Sequence, residues 1–317
     1  MNRARWPLGH FVPHAWRPEY ARGMATPQPA IFAQGTRSHR HLEFDLRPTA
    51  LADQVLTVLQ GLRQPSATAG GVNIVIGFSP ACWRSLAADG APDALVEFPV
   101  IPGCPATQHD VWVWLHGGGH DELFDVGLSI AHMLSPIAAV AHEVTGFVYH
   151  DSRDLIGFED GTENPGVEEA FEVALVAEGP AAGGSFAMTQ RWVHDLEAFH
   201  ALAVGEQERV VGRTKADSIE LDDDVQPADS HVSRMVVDGD DGDELAIYRR
   251  SVPYGTVAEH GLHFVAFSAD PARFTIMLER MFGVGDGVHD RLIEFSTPVT
   301  GAYWWVPALE SLGDALG

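Results

Sequence analysis

Polar and apolar residues alternate from Ser38 to Leu46 (Ser-His-Arg-His-Leu-Glu-Phe-Asp-Leu), which predicts a strand. The period then changes. Across residues 50–62, Leu51, Val55, Leu56, Val58, Leu59 and Leu62 recur at helical spacing. Residues 70–78 predict a second strand, and Ser79 stands where it can cap a short helix reaching Leu86. Residues 110–115 predict a strand ended by Gly117-Gly118-Gly119, 121–134 a helix, and 140–149 a strand. The order is strand, helix, strand, strand, helix, strand, with the short helix as an insert. That is the split βαβ pattern of a ferredoxin-like fold.

Residues 166–184, acidic and then rich in glycine and alanine, read as a connector. The order then repeats. A strand is predicted over 185–193, a helix from His194 to about Leu202, and a polar helix over 205–215. Residues 233–237 and 244–250 predict a hairpin across Asp238-Gly239-Asp240-Asp241-Gly242. A strand over 261–268 and a helix over 272–282 complete the set. The expected fold class is α+β: two ferredoxin-like halves, antiparallel sheets with peripheral helices in a dimeric α+β barrel-like arrangement, their sheets facing. The expected division is a flexible extension over 1–23, an N-terminal half over 24–150, and a C-terminal half over 151–317 that carries the site.

Composition narrows the partners. The formal net charge is −24 over 317 residues, so nucleic acid and anionic membrane surfaces are repelled. Apolar residues make up 45% of the chain, enough for a large core. No run of about 18 apolar residues is present, so no membrane span is expected. Met1 to Gly23 carries Arg3, Arg5, Arg17 and Arg22, but Pro7, His10, Pro13 and His14 break any apolar core, so it does not read as a secretory signal. It reads as an extension, or as an early start upstream of Met24, and a cytoplasmic protein is expected. Cys82 and Cys104 are too few for a disulfide framework and read as small buried hydrophobes.

Three stretches carry candidate chemistry. Gly157-Phe158-Glu159-Asp160-Gly161-Thr162-Glu163-Asn164-Pro165 concentrates three carboxylates, two turn glycines and a closing proline at mid-chain. His231 lies just after the acidic run Asp222-Asp223-Asp224. Tyr248-Arg249-Arg250-Ser251-Val252-Pro253-Tyr254-Gly255 ends a strand on adjacent arginines. Haem iron takes neutral imidazole as an axial ligand. Peroxide activation needs a proton-moving base and a fixed cation on the opposite face, roles open to aspartate and arginine. His231, Asp160 and Arg249 have the right types. Each also has a plain structural reading: an Asp-Gly turn, a lone core or surface histidine, a salt-bridged strand end. Glu159, Asp160 and Glu163 could instead hold a divalent cation or pair as a hydrolase acid and base. Spacing does not join the three stretches.

A family resemblance does. Gly157-Phe158-Glu159-Asp160-Gly161 resembles the GxxDG signature of the dye-decolourising peroxidases, continued here by Thr162-Glu163-Asn164-Pro165. Gly212-Arg213-Thr214-Lys215, Asp229-Ser230-His231-Val232 and Arg249-x-Ser251-x-Pro253-Tyr254-Gly255 follow in that family's order. Residues 295–301 and Val306-Pro307 are similar to its C-terminal end. The likeness runs from about Met24 onward and is greatest to the B-type bacterial subfamily. It implies one haem b per chain and a hydrogen-peroxide-dependent oxidation of dyes, phenols and similar small aromatic donors through a ferryl intermediate. It implies His231 as the axial ligand to the haem iron, and Asp160 and Arg249 as the catalytic pair against the haem. Gly161 and Ser251 lie beside it, and Arg213 meets a propionate. Ser251 stands where many relatives carry asparagine. Ligand histidines commonly donate to a carboxylate; Asp290 is the expected partner and Glu294 the runner-up.

The two glycines of the central stretch are expected to let backbone approach a flat macrocycle. Homo-oligomers are common in the family, so one is expected here. No long tail follows Leu312-Gly313-Asp314-Ala315-Leu316-Gly317, so packaging in a protein shell is not expected. The alternative function is a non-enzymatic haem or iron-handling protein on the same fold. Tyr254, Tyr303, Trp304 and Trp305 have the type to relay electrons to bulky dyes, but read first as core and interface packing.

Overall fold

The computed structural model describes residues 25–314, except 65, 69, 88–90, 240, 241 and 243. The extension expected over 1–23 lies outside the described residues. The strands are β1 (Ser38–Leu46), β2 (Asn73–Phe78), β3 (Val111–Gly117), β4 (Ala138–Phe147), β5 (Ser185–His194), β6 (Tyr248–Arg249), β7 (Val252–Gly255), β8 (His260–Ser268), β9 (Ser296–Pro298) and β10 (Ala302–Val306). The helices are α1 (Ala52–Gln60), α2 (Pro80–Leu86), α3 (His120–Leu134), α4 (Val167–Ala174), α5 (Leu196–Ala201), α6 (Val204–Val211), α7 (His231–Met235), α8 (Ala272–Met281) and α9 (Leu309–Asp314).

The fold is mixed α and β, with one antiparallel sheet in the order β6-β8-β7-β4-β1-β3-β2-β10-β5-β9. A further pairing of β5 with β8, Phe186 opposite Ser268 through Val193 opposite Gly261, closes it into a barrel. β6 and β7 pair along β8 one after the other, so they act as one strand broken at Arg250-Ser251. Within the first half the order is β4-β1-β3-β2; within the second, β7-β8-β5-β10. The seams are β2 with β10 and β4 with β7. The two sheets face each other across the barrel interior, Trp112 and Trp114 of one half against Phe267 of the other, and the halves also join edge to edge, which leaves fewer unpaired strand edges.

Strand alternation sorts the core into two layers. Val111, Val113 and Leu115 of β3 face outward and pack with Val55, Leu56 and Leu59 of α1 and Leu123 and Ile130 of α3. Trp112 and Trp114 of the same strand face inward with Val75, Val265, Phe267 and Trp304. Burial on both faces explains why β3 reads as a continuous apolar run. Ser79 caps α2 by accepting from Cys82 N at 3.1 Å.

The predicted hairpin over 233–250 does not form. Residues His231–Met235 are the helix α7, because Ser230 Oγ accepts the Ser233 N–H at 3.2 Å and starts a helical turn. Arg234 then ties α7 to Arg280 O and to Asp286. Among the described residues of the segment, an isolated bridge, Asp238 to Glu244, is what remains of the hairpin. The connector over 166–184 contains α4, whose small residues Ala170 and Ala174 pack closely while Glu168 and Glu169 stay in solvent.

Candidate active site

A cavity of about 240 Å³ lies against the outer faces of β5 and β8, closed by α7, α8 and the loop through Asp160. Its walls are largely apolar, with Met188, Leu262, Phe264, Met277, Leu278 and Met281 among them, and a few polar side chains converge on it. That space suits an organic ligand, since a single water needs only about 10–15 Å³ of it.

His231 is the first residue of α7 and lines the cavity. Its Nδ1 lies 2.6 Å from Oδ2 of Asp290, which is fully buried. Asp290 is itself fixed: Oδ1 accepts from Leu292 N at 2.8 Å, and its own N–H donates to Met281 O at 2.8 Å. With Nδ1 engaged, Nε2 is the ring nitrogen available to a ligand. Glu294, the runner-up for this contact, pairs with His289 at 3.3 Å on the surface instead.

Asp160 and Gly161 line the cavity from the mid-chain loop. The Asp160 N–H donates to Ser152 O at 3.1 Å. Burial pushes the Asp160 carboxyl above the usual carboxylate range; Arg249 pulls it back, Asp154 pushes it further up and His231 pulls it down. Gly161 takes φ +80°, a left-handed conformation that glycine adopts freely. Gly157 also has positive φ, but it does not line the cavity. A side chain there would meet Lys215 Cε at 2.7 Å, so its close approach is to a lysine rather than to a bound ring.

Arg249 lines the cavity, whereas Arg250 points the other way. Successive strand residues face opposite sides. Arg250 enters the barrel, where it donates to Ile31 O at 2.6 Å and Ala33 O at 2.7 Å and lies over Trp114. Burial lowers its pKa from the ordinary arginine value. Arg213 follows the left-handed Gly212 that ends α6. It reaches the cavity edge with Nη2 held by Glu163 at 2.7 Å and Glu220 at 3.0 Å. Ser251 stands apart: it does not line the cavity, and its Oγ accepts from Val265 N at 3.3 Å.

So the fold brings His231, Asp160, Gly161, Arg249 and Arg213 to one cavity, with Asp290 behind His231, and leaves Ser251 outside it. Sequence reasoning missed a wall of that cavity: His194 joins Asp154 at 3.1 Å and Ser296 at 2.8 Å. It also missed the contact of Asn164 with Arg249. Both depend on segments far apart in the chain. Trp304 and Trp305 are buried, at 1% and 2% exposure, as are Tyr303 and Tyr254, in keeping with packing rather than surface relay.

The Dyp-type peroxidase family models match this chain over residues 36–148 for the N-terminal part and 151–311 for the C-terminal part. A dye-decolorizing peroxidase of Rhodococcus erythropolis is 37% identical over 263 residues, covering 80% of this chain and 76% of that protein. One from Mycobacterium tuberculosis is 37% identical over 262 residues, covering 80% and 77%. Among solved structures, DypB from Rhodococcus jostii RHA1 matches with a TM-score of 0.85 and 34% identity over 90% of this chain and 97% of that one. A variant of the same protein, solved in complex with heme, matches with a TM-score of 0.85 and 35% identity over 92% and 98%.

Proposed function

The chain belongs to the Dyp-type peroxidase family, and we propose that it works as a haem b peroxidase with His231, Asp160 and Arg249 at its centre. The observation that carries the reading is the cavity itself. It sets an imidazole backed by a buried carboxylate, and an aspartate beside an arginine, around apolar walls suited to a flat macrocycle. The residues fit the group: Asp290 holds His231 by Nδ1, the arrangement that orients a metal-ligating histidine and raises its basicity. Met188, Phe264, Met277 and Met281 offer soft apolar contact to a ring.

In this reading His231 Nε2 would ligate the iron, and the Arg213 guanidinium, paired at the cavity edge with Glu163 and Glu220, would meet a propionate. Haem supplies the iron at which peroxide reacts and which takes up its oxidising equivalents. Asp160 accepts the proton from one peroxide oxygen and returns it to the other, which leaves as water. The fixed cation Arg249 stabilises negative charge developing on that leaving oxygen. Gly161 lets the loop run close to the ligand. Ser251 acts at the strand end, where its hydroxyl accepts the Val265 N–H rather than facing the cavity. Small aromatic donors return the electrons.

The two ferredoxin-like halves, 24–150 and 151–317, are part of the same reading. The matching orders β4-β1-β3-β2 and β7-β8-β5-β10 support it. So is assembly as a homo-oligomer. A cytoplasmic home is supported by Cys82 and Cys104, both buried and unpaired. Among the described residues no helix is long and apolar enough to cross a membrane.

The test is the absorption spectrum of the purified protein before and after one equivalent of peroxide. A Soret band that shifts with peroxide, and whose normal ligation is lost in His231→Ala, is expected. Failure to take up haem would overturn the reading. Haem bound but inert to peroxide would favour the carrier alternative, against which the named relatives, all peroxidases, weigh.

A further inference from the structure

Arg249 lies on β6, a two-residue strand paired on only one side. Arg250 N donates to Val265 O at 2.7 Å, so the strand turns the backbone N–H and C=O of Arg249 away from β8. At a bare sheet edge those two groups would face solvent or wander. Here the carboxamide of Asn164 takes both: Oδ1 accepts the Arg249 N–H at 2.8 Å, and Nδ2 donates to Arg249 O at 2.8 Å. One side chain thus makes the paired contacts that a neighbouring strand would make. Only a carboxamide offers a donor and an acceptor side by side, and only one orientation of it satisfies this peptide.

Asn164 is fixed at its own end too. Its N–H donates to Gly161 O at 3.0 Å, closing the turn that begins directly after Asp160. Pro165 follows and confines Asn164 to extended backbone. The chain from Asp160 through Gly161 to Asn164 is therefore short and stiff, and it ends on the peptide of Arg249. We propose that Asn164 is a positioning residue: its carboxamide locks the Arg249 peptide to the Asp160 turn and so sets the guanidinium relative to the carboxyl. This rests on the reading in which those two groups face the peroxide. Without the clasp the arginine keeps its charge but loses its place, and catalytic geometry tolerates only about 0.5 Å of error.

The groups facing Asp160 are Arg249 from β6, Asp154 from its own loop and His231 from α7. Of these, Arg249 is the one Asn164 governs. Loosening it removes the strongest influence that opposes burial at Asp160, so the acid should titrate at higher pH.

Fluoride binding to the haem-loaded protein, followed by absorption across pH, reads the placement of a distal donor without turnover. Arg249→Leu should weaken fluoride by about tenfold or more, the worth of a charged hydrogen bond. Asn164→Ala should weaken it by about threefold to tenfold and move the pH midpoint upward. In the Arg249→Leu background Asn164→Ala should add nothing. Wild-type affinity and midpoint in Asn164→Ala, or an equal loss in both backgrounds, would overturn the proposal. No effect of Arg249→Leu would overturn the reading beneath it, and the proposal with it. Hydrogen exchange on the wild-type protein supplies a check that needs no variant. The Arg249 amide should be protected despite its edge position, and exchange at the rate of a free edge amide would also overturn the clasp.

Discussion

Removing the carboxylate behind His231 probes the site most directly. Asp290 makes two side-chain hydrogen bonds, one to His231 Nδ1 at 2.6 Å and one to the Leu292 N–H at 2.8 Å. Asp290→Asn keeps one acceptor oxygen for the two donors and removes the charge; Asp290→Ala removes both bonds and leaves the imidazole nitrogen without its partner. A hydrogen bond to a charged group contributes about 1.5–3 kcal/mol and a cap about 1 kcal/mol. Asp290→Ala should therefore cost about 3 kcal/mol of stability, offset in part because a fully buried carboxylate no longer has to be desolvated. For the ligand, loss of such a partner weakens metal binding by about 10–100-fold. Asp290→Asn is expected at the lower end and Asp290→Ala at the upper. A less basic imidazole gives less electron density to ferric iron, so the reduction potential should rise in the order wild type, Asn, Ala. Haem transfer to an apo-globin measures the affinity, and spectroelectrochemistry measures the potential. Wild-type potential in Asp290→Ala would refute the account of Asp290 as the group that tunes His231.

Four further outcomes are expected. Asp160 has a raised pKa in the fold, so its ionised form is disfavoured there; the penalty is absent below the ordinary carboxylate pKa and grows as pH rises through the folded value. Asp160→Asn should thus raise the melting temperature of the haem-free protein at neutral pH and lose that advantage in acid, and a pH-independent difference would contradict it. Arg249→Leu should slow the reaction with peroxide by about 10²-fold or more with little change in melting temperature. Arg250→Leu, which loses two bonds to carbonyls and a contact with Trp114, should do the reverse and destabilise by about 3 kcal/mol; stopped-flow and calorimetry separate the two. Trp305→Phe, deep among Phe186 and its neighbours, should leave the rate on a bulky dye unchanged while lowering stability by about 1–3 kcal/mol, and a selective loss of dye turnover would restore the relay idea.

Local structure was legible wherever local chemistry decided it. β1 spans Ser38–Leu46 as its alternation predicts, and α2 begins behind Ser79 as its cap predicts. The 233–250 segment failed for a physical reason: its valines favour a strand, but Ser230 and the anchoring of Arg234 on Arg280 and Asp286 favour a helix, and those partners are remote in sequence. Closure of the barrel rests on β5 with β8 and β2 with β10, which no local pattern encodes. In the site, residue types were visible but contacts were not. His231 and Asp290 are 59 positions apart, and Asn164 and Arg249 are 85 apart. A motif resembling a family signature could place Asp160 in a loop; only the fold shows what that loop holds.

The adjacent arginines show how the barrel and the site constrain each other. Strand alternation forces Arg249 and Arg250 onto opposite faces, so fixing one fixes the other. Arg250 is pinned inside by the carbonyls of Ile31 and Ala33 and by the Trp114 ring, all of them parts of the fold away from the cavity. A slip of one residue would put Arg249 into the barrel and withdraw the guanidinium from the cavity. It would also break the Arg250 N–H bond to Val265 O and the paired bonds from Asn164. The register of this short strand is therefore held by an arginine on the inside and an asparagine at the edge, neither of which needs to touch the peroxide. The break at Arg250-Ser251 is tolerable for the same reason: the strand does not depend on length for its register, because these two side-chain anchors supply it.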